Sequence, residues 1–129
     1  MKTKIFFLIS MAFLTISFAD DFSTCMQASK NTFDMQQCID KTSKAQELEL
    51  NRLYSQLMNL SQDTVNFSLD TLKSSQQAWL NYRDLNCSIY NQGSIASVLN
   101  GKCRIQVTKF RINELMNLCK GFGDTPLCK

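Results

Sequence analysis

The sequence contains no histidine, and this absence excludes several kinds of catalytic and metal site. Without histidine, neither a Ser-His-Asp nor a Cys-His nucleophile can form. Zinc sites usually draw on close cysteine pairs and histidine, and the six cysteines here include no C-x-x-C pair. The missing pair also excludes a thioredoxin-like redox motif. The sequence therefore predicts no enzyme, no metal site and no cofactor.

Residues that break helices are also scarce. The chain has one proline and four glycines, and neither type occurs between Asp20 and Asn91. Because this stretch is rich in Gln, Leu, Lys, Ser and Met, its composition favours helix over sheet. We therefore predict an all-α fold, a small disulfide-stapled bundle of about three main helices with a long antiparallel helical hairpin.

The sequence also lacks a large net charge of either sign. When Lys2 and Lys4 are set aside, 12 basic residues face 11 acidic ones. Proteins that bind nucleic acid or anionic membranes carry a basic cluster or face, and this sequence has no such cluster. We therefore expect no nucleic-acid partner.

The amino terminus has the pattern of a secretory signal peptide. A nearly continuous apolar run, Ile5–Ile16, follows two lysines, and Ser17-Phe18-Ala19 places small residues where a signal peptidase cleaves. The apolar stretch that ends at Ala19 has 15 residues, whereas a membrane-spanning helix needs about 20. We predict a signal peptide at 1–19, a mature domain at 20–129, and a periplasmic or secreted protein without a stable membrane anchor.

All six cysteines lie in the predicted mature part, and an even number in a small exported domain indicates disulfides. In a helical hairpin, Cys38, Cys87 and Cys103 fall near one end, and Cys119 lies about 24 Å away at ~1.5 Å per residue. Cys119 is therefore expected to pair with Cys128. The other four cysteines allow three connectivities, of which we favour the local one: Cys25 with Cys38 and Cys87 with Cys103.

Apolar residues spaced three and four apart predict the helices. The first runs from about Thr32 to Ser61, and the second, capped by Ser68, runs to about Tyr90. A break at Asn91–Ser94 precedes a short helical piece, Ile95–Leu99, and a third helix runs from Lys102 to Leu118. The inward stripe of the third helix comprises Val107, Phe110, Arg111, Leu115 and Leu118.

Two arginines lie on apolar stripes, where a charge needs a partner. Arg83 shares its stripe with Trp79, and an unpaired charge at such a buried position would be very costly. Glu47, on the inward side of the first helix, is the best-placed carboxylate. The expected polar network comprises Glu47, Asn51, Gln76, Arg83, Thr108 and Arg111. A structural role in helix packing is favoured, and an anion-binding site is the alternative.

The connection between the second and third helices is the candidate partner-binding loop. It contains two glycines, and the expected Cys87–Cys103 bond closes it at its base. A loop closed in this way is stiffer and loses less entropy when it docks. Its candidate contact residues are Asn91, Gln92, Gly93, Ser94 and Lys102. The alternative is a plain connector between two helices.

Three segments of the chain share a recognisable pattern. Residues 76–87 read QQAWLNYRDLNC, residues 47–54 read ELELNRLY, and a third group follows Cys103. The first is similar to Q-x-A-W-x-x-Y-R-D-x-x-C, and the second to D-x-x-L-N-x-x-Y with Glu47 in place of the aspartate. The third, similar to C-x4-T-x2-R-x3-L, comprises Cys103, Thr108, Arg111 and Leu115. Together they resemble the LprI-like lysozyme-inhibitor family of exported bacterial proteins.

The resemblance implies a helical domain and, for characterised family members, inhibition of host lysozyme at the bacterial envelope. It suggests a binding protein that occludes a muralytic enzyme, with lysozyme or another protein as partner and Asp84 as a candidate contact. One alternative is an envelope or host-interaction factor with a different protein target. Another is a small apolar-ligand carrier, although the close C-x3-C pair of six-cysteine helical carriers is missing here. The sequence leaves the oligomeric state open.

Mass spectrometry of the exported protein tests the predicted signal peptide. We expect a mature chain that begins near Asp20, because the small residues before it fit a peptidase site. An intact Met1, or a lipid attached to Cys25, would contradict this prediction.

Overall fold

The computed structural model describes residues 18–121 and 126–128. Within these ranges the chain is helical and has no strand, which confirms the predicted all-α fold. Residues 1–17 of the predicted signal peptide lie outside the described ranges. No helix in the described part is long and apolar enough to cross a membrane. The helices are α1 (Phe18–Ala28), α2 (Thr32–Met58), α3 (Leu69–Ser88) and α4 (Ala96–Lys120), with a 3-10 turn at Gln62–Thr64.

Side chains cap the starts of α2 and α3. Asn31 accepts a hydrogen bond from the backbone N–H of Asp34 at 2.9 Å. Ser68, the cap expected from the sequence, accepts one from the N–H of Thr71 at 3.1 Å. Each cap satisfies an N–H that has no partner within its helix. Both helices end two to three residues earlier than the apolar spacing predicts.

α2 and α4 run side by side in the same direction, and α3 runs antiparallel to both. Near one end of the pair, Ile39 of α2 lies against Gly101 of α4. Toward the other end, Leu57 of α2 and Cys119 of α4 share a core cluster. α2 packs more extensively against α4 than against α3. The α2–α3 hairpin therefore depends on α4 to complete its core.

Two groups of buried side chains form the core. One, the lower cluster, fills the part of the bundle near the α2–α3 turn, and its members are Leu50, Leu53, Leu57, Leu72, Leu115 and Cys119. The other, the upper cluster, consists of Ile39, Val98 and Ile105. α4 contributes to both clusters and so connects the two ends of the molecule.

Apolar spacing did not predict α1, because its position depends on tertiary contacts. It has 11 residues, and helices shorter than about 12–15 residues are marginal in isolation. Phe22 and Met26 pack against the upper cluster, and the Cys25–Cys38 disulfide fastens the helix to α2. Burial and the cross-link hold this short helix in place.

Three disulfides fasten the described part of the chain. Cys25–Cys38 joins α1 to α2 and Cys87–Cys103 joins α3 to α4, with Cα–Cα distances of 5.9 and 5.6 Å. Cys119–Cys128 folds the tail back onto the end of α4, where the backbone N–H of Leu127 donates to the carbonyl of Cys119 at 2.7 Å. These pairs coincide with those expected from the sequence.

The predicted interruption of α4 at Gly101 is wrong. The chain forms one helix from Ala96 to Lys120, so the separate piece at Ile95–Leu99 and the third-helix start at Lys102 do not exist. A Cβ at position 101 would lie 2.5 Å from Cγ2 of Ile39. Glycine is present here because α2 and α4 approach closely, and one glycine costs a long helix only about 1 kcal/mol relative to alanine.

The position of Phe110 also differs from the prediction. It was placed on the inward stripe of the third helix, but its side chain is 60% exposed. The buried face of α4 is centred on Thr108 and Leu115, and two residues correspond to about 200° around a helix. Phe110 therefore lies on the side of α4 opposite Thr108.

Gly101→Ala tests the close approach of α2 and α4. The added methyl group gains helix propensity but collides with Ile39, and we expect a net loss of about 1–3 kcal/mol in the free energy of unfolding. Urea denaturation followed by circular dichroism measures this loss. In an Ile39→Ala background the same substitution should cost less, because the colliding Cγ2 atom is gone. A stabilised Gly101→Ala variant would contradict the packing argument.

Candidate functional site

Arg83 is the centre of a polar layer that joins α2, α3 and α4. Its guanidinium, on a residue only 5% exposed, forms an ion pair with Glu47 of α2. It also donates to the hydroxyl of Thr108 on α4 and to the carboxylate of Asp84, both at 3.3 Å. The guanidinium carbon lies 4.9 Å from the ring centroid of Trp79. Arg83 thus contacts the two neighbouring helices and a ring on its own helix.

Arg111 of α4 is the centre of a second polar cluster at the contact between α3 and α4. Its Nε donates to the side-chain oxygen of Gln76 at 2.9 Å, and Nη2 donates to the hydroxyl of Ser75 at 3.1 Å. Nη1 donates to Glu114 at 2.9 Å. The guanidinium carbon lies 6.0 Å from the Trp79 centroid. Trp79 therefore lies within cation–π range of both arginines.

These contacts support the structural interpretation of the network over an anion site. Neither Arg83 nor Arg111 has a guanidinium nitrogen that is buried without a hydrogen-bond partner. Carboxylates already compensate both charges, since Glu47 pairs with Arg83 and Glu114 pairs with Arg111. The positive charge that would attract an added anion is therefore already offset within the protein.

Asn51 is not part of the network, which corrects the expectation from the sequence. Its side chain is exposed, whereas Leu50 beside it is 1% exposed and faces the core. At 3.6 residues per turn, Asn51 lies about 100° from Leu50 around the helix and Glu47 only about 60°. The longer glutamate side chain, at the smaller angle, reaches Arg83, whereas the shorter asparagine side chain does not.

Three further members of the network were not foreseen. Glu114 lies three residues after Arg111, a spacing that brings side chains together on a helix and could have signalled the pair. Ser75 precedes Gln76, and nothing in its local pattern marks it. Arg104 donates to Asp84 at 2.7 Å across the α3–α4 contact, and such a contact between helices depends on tertiary packing.

Asp84, the candidate partner contact, is held within the protein. It accepts hydrogen bonds from Arg104 at 2.7 Å and from Arg83 at 3.3 Å. Its side chain remains 56% exposed, so the carboxylate can still reach the edge of a bound partner. The two arginines offset its charge and leave little to attract a distant cation.

The candidate loop lies in a longer segment without charge, residues 85–101, which we call the uncharged corner. None of these 17 residues is Asp, Glu, Lys or Arg, although such residues make up 19% of the chain. The corner comprises the end of α3, the connection Ile89–Ile95 and the start of α4. Lys102 lies within α4, which corrects its assignment to the loop.

Exposed apolar side chains are concentrated at the uncharged corner. Of the ten large apolar residues exposed in the described ranges, five are in the corner: Leu85, Ile89, Tyr90, Ile95 and Leu99. Ile89 is the most exposed, at 70%. Tyr82, one turn before the corner on α3, is also exposed, and so is Phe110, nine residues beyond the corner on α4. The prediction from the sequence rested on the polar residues of the loop. The absence of charge from residues 85–101 coincides better with the exposed apolar surface.

The corner is also internally braced. The Cys87–Cys103 disulfide joins its two helices, and the side chain of Asn86 approaches the Cys103 sulfur at 3.8 Å. The side-chain amide of Asn100 bonds to the carbonyl of Cys87 and to the side chain of Asn91. At the tip, Asn91, Gln92, Gly93 and Ser94 are all exposed. Gly93 has φ +91°, a conformation that glycine adopts readily.

Arg83→Met tests the contribution of the polar layer to stability. The substitution leaves the half-buried Glu47 carboxylate without its cation, and we expect the free energy of unfolding to fall by about 2–4 kcal/mol. Urea denaturation of the oxidised protein measures the change.

Arg52→Met is the matched control, because Arg52 forms an ion pair with Glu49 on the exposed side of α2. The hydrogen bond from Arg52 lowers the pKa of Glu49, so this pair is also formed at neutral pH. Its side chains are 48% and 36% exposed, and such pairs contribute about 0–1 kcal/mol. Equal losses from both substitutions would show that burial of Arg83 adds nothing.

Comparison with known proteins places this architecture in a family. Residues 25–115 match the family model described as lysozyme inhibitor LprI. An uncharacterized protein of Rhizobium meliloti (strain 1021) is 29% identical over 99 residues, which cover 66% of this chain and 71% of the relative. No solved structure gives a significant match. The matched range includes the polar layer and the uncharged corner, and the chain belongs to the LprI lysozyme inhibitor family.

Proposed function

We propose that this protein is exported through its signal peptide and inhibits a lysozyme-type muralytic enzyme by occluding the substrate cleft. The family supplies the class of target. The uncharged corner is the observation that carries the proposal, because it combines exposed apolar side chains with a braced backbone. The protein then acts as a binding partner and performs no chemistry of its own.

The composition of the corner is that of a protein interface. Interface cores are depleted in charged residues and enriched in aromatic ones. Here Tyr90 in the corner is 42% exposed and Tyr82, one turn before it, is 54% exposed, and the corner itself contains no charge. Apolar anchors of this kind supply most of the binding energy in protein complexes.

The shape of the corner suits insertion into a cleft. The exposed connection Ile89–Ile95 joins two helices that a disulfide holds together. Its tip carries amide and hydroxyl groups, which form hydrogen bonds without the desolvation cost of a charge. A polysaccharide cleft is built to form hydrogen bonds with neutral hydroxyl and amide groups, so the tip offers matching chemistry.

Electrostatic steering contributes little to this mode of binding. Lysozymes are strongly basic, and an acidic inhibitor would associate faster through long-range attraction. This mature chain is nearly neutral, and its corner is uncharged. The affinity therefore comes from short-range apolar and hydrogen-bond contacts, and the association rate should change little between low and physiological salt.

A lysozyme activity assay with purified, oxidised protein tests the proposal. A panel should cover animal, plant and phage lysozymes at low and physiological salt, because the family does not specify the type. We expect inhibition of at least one type, nearly independent of salt. If none is inhibited at a large molar excess, an envelope or host-interaction factor with another protein target becomes the better description.

Ile89→Glu locates the contact surface. A charge at the most exposed apolar position of the corner would have to be desolvated in the complex, and we expect inhibition to weaken by roughly 100-fold. Leu48→Glu is the matched control, because Leu48 is 66% exposed on α2 and lies outside the corner. Equal inhibition constants for the two variants would assign the contact to another surface.

A further inference from the structure

We infer that Asn100 is a positioning residue that preforms the binding surface of the uncharged corner, an inference that rests on the proposed function. Asn100 is half-buried in the second turn of α4. Its side-chain nitrogen donates to the backbone carbonyl of Cys87 at 2.8 Å and to the side-chain oxygen of Asn91 at 2.9 Å. One amide group therefore links α4 to the end of α3 and to the connection between the helices.

The chemistry of this position requires an amide. The carbonyl of Cys87, near the end of α3, accepts hydrogen bonds from the backbone N–H of Tyr90 at 3.2 Å and from the Asn100 amide at 2.8 Å. An NH₂ group has two N–H donors, and here one faces the Cys87 carbonyl and the other faces Asn91. A carboxylate at position 100 would present only acceptors to two acceptors. Alanine would present no donor, so the Cys87 carbonyl would keep only the N–H of Tyr90 and the Asn91 side-chain oxygen would be left to solvent.

Few other interactions hold the connection. Its residues from Ile89 to Ile95 are exposed, and apart from Gly93 and its two chain neighbours no residue has a heavy atom within 4 Å of where a Cβ on Gly93 would be. The backbone bonds from Tyr90 to Cys87, from Asn91 to Ser88 and from Ala96 to Gly93 are each 3.2 Å long and local. The Cys87–Cys103 disulfide joins the helices at the base and leaves the tip free to move. The Asn100 amide is the contact that extends the bracing to the loop.

A residue that preforms the loop affects the binding kinetics differently from a residue that contacts the partner. If only a fraction of molecules holds the binding conformation, the apparent affinity falls by that fraction. Association slows, whereas dissociation is unchanged because the bound complex keeps its contacts. Removing a contact residue has the opposite effect, since most changes at an interface act on the dissociation rate.

Asn100→Ala and Asn100→Asp test the inference, with Asn113→Ala as control. Asn113 is an exposed asparagine on the same helix, and its side chain has no partner of this kind. Alanine is a good helix former, so α4 should remain folded. The structural measurement is ¹⁵N relaxation of the free oxidised protein, which reports the order of the Ile89–Ile95 amides. The kinetic measurement is association and dissociation with a lysozyme that the wild-type protein inhibits.

We expect backbone order parameters in Ile89–Ile95 to fall from about 0.85 to below about 0.6 in both Asn100 variants. The association rate should fall roughly tenfold, with an unchanged dissociation rate. Asn113→Ala should match the wild-type protein in both measurements. A loop that stays ordered without the Asn100 amide would overturn the inference, as would an effect confined to dissociation.

The relaxation measurement needs no partner, so it separates this inference from the proposed function. If no lysozyme binds the wild-type protein, the proposed function fails, and the loop order in the Asn100 variants still decides whether the amide positions the loop. If lysozyme binds and Asn100→Ala associates at the wild-type rate, the positioning role fails while the proposed function stands.

Discussion

The buried guanidinium of Arg83 sets the arrangement of the three long helices. A charge at this depth needs a partner, and α3 alone offers only the adjacent, largely exposed Asp84. Glu47 on α2 and Thr108 on α4 complete its contacts. Each of these side chains reaches the guanidinium when its helix lies in one axial register. The interaction therefore fixes the axial position of each helix relative to its neighbours. Apolar packing alone tolerates several such registers.

Trp79 extends this constraint along the bundle. Both Arg83 and Arg111 lie over its ring, so one indole makes cation–π contacts with both guanidinium groups. Charged groups at the α3–α4 contact are thereby paired inside the protein, and the corner at the end of α3 carries none. In the proposed function the two regions have different roles: the polar layer fixes the helices, and the uncharged corner binds the partner. Family membership is consistent with both, since residues 25–115 include them.

The disulfides act where the core is thinnest. α1 is short and packs on the upper cluster, and Cys25–Cys38 holds it there. Cys87–Cys103 closes the corner, whose side chains are mostly exposed and contribute little burial. In a domain of this size one hydrophobic core provides modest stability, so cross-links at thinly packed ends limit local opening. The clasp at Cys119–Cys128 has the same effect on the tail, beyond the range that the family model matches.

The sequence by itself determined the helical class, the cap at Ser68 and the need for a partner at Arg83. These follow from properties of a single segment, namely helical periodicity, capping chemistry and the cost of burying a charge. Tertiary structure alone decided that α1 forms, that α4 continues through Gly101 and that Phe110 faces outward. It also determined that Arg104 pairs with Asp84 and that Asn100 forms a hydrogen bond with Asn91. Each of these outcomes depends on the distance between two helices, which no local pattern in either helix encodes.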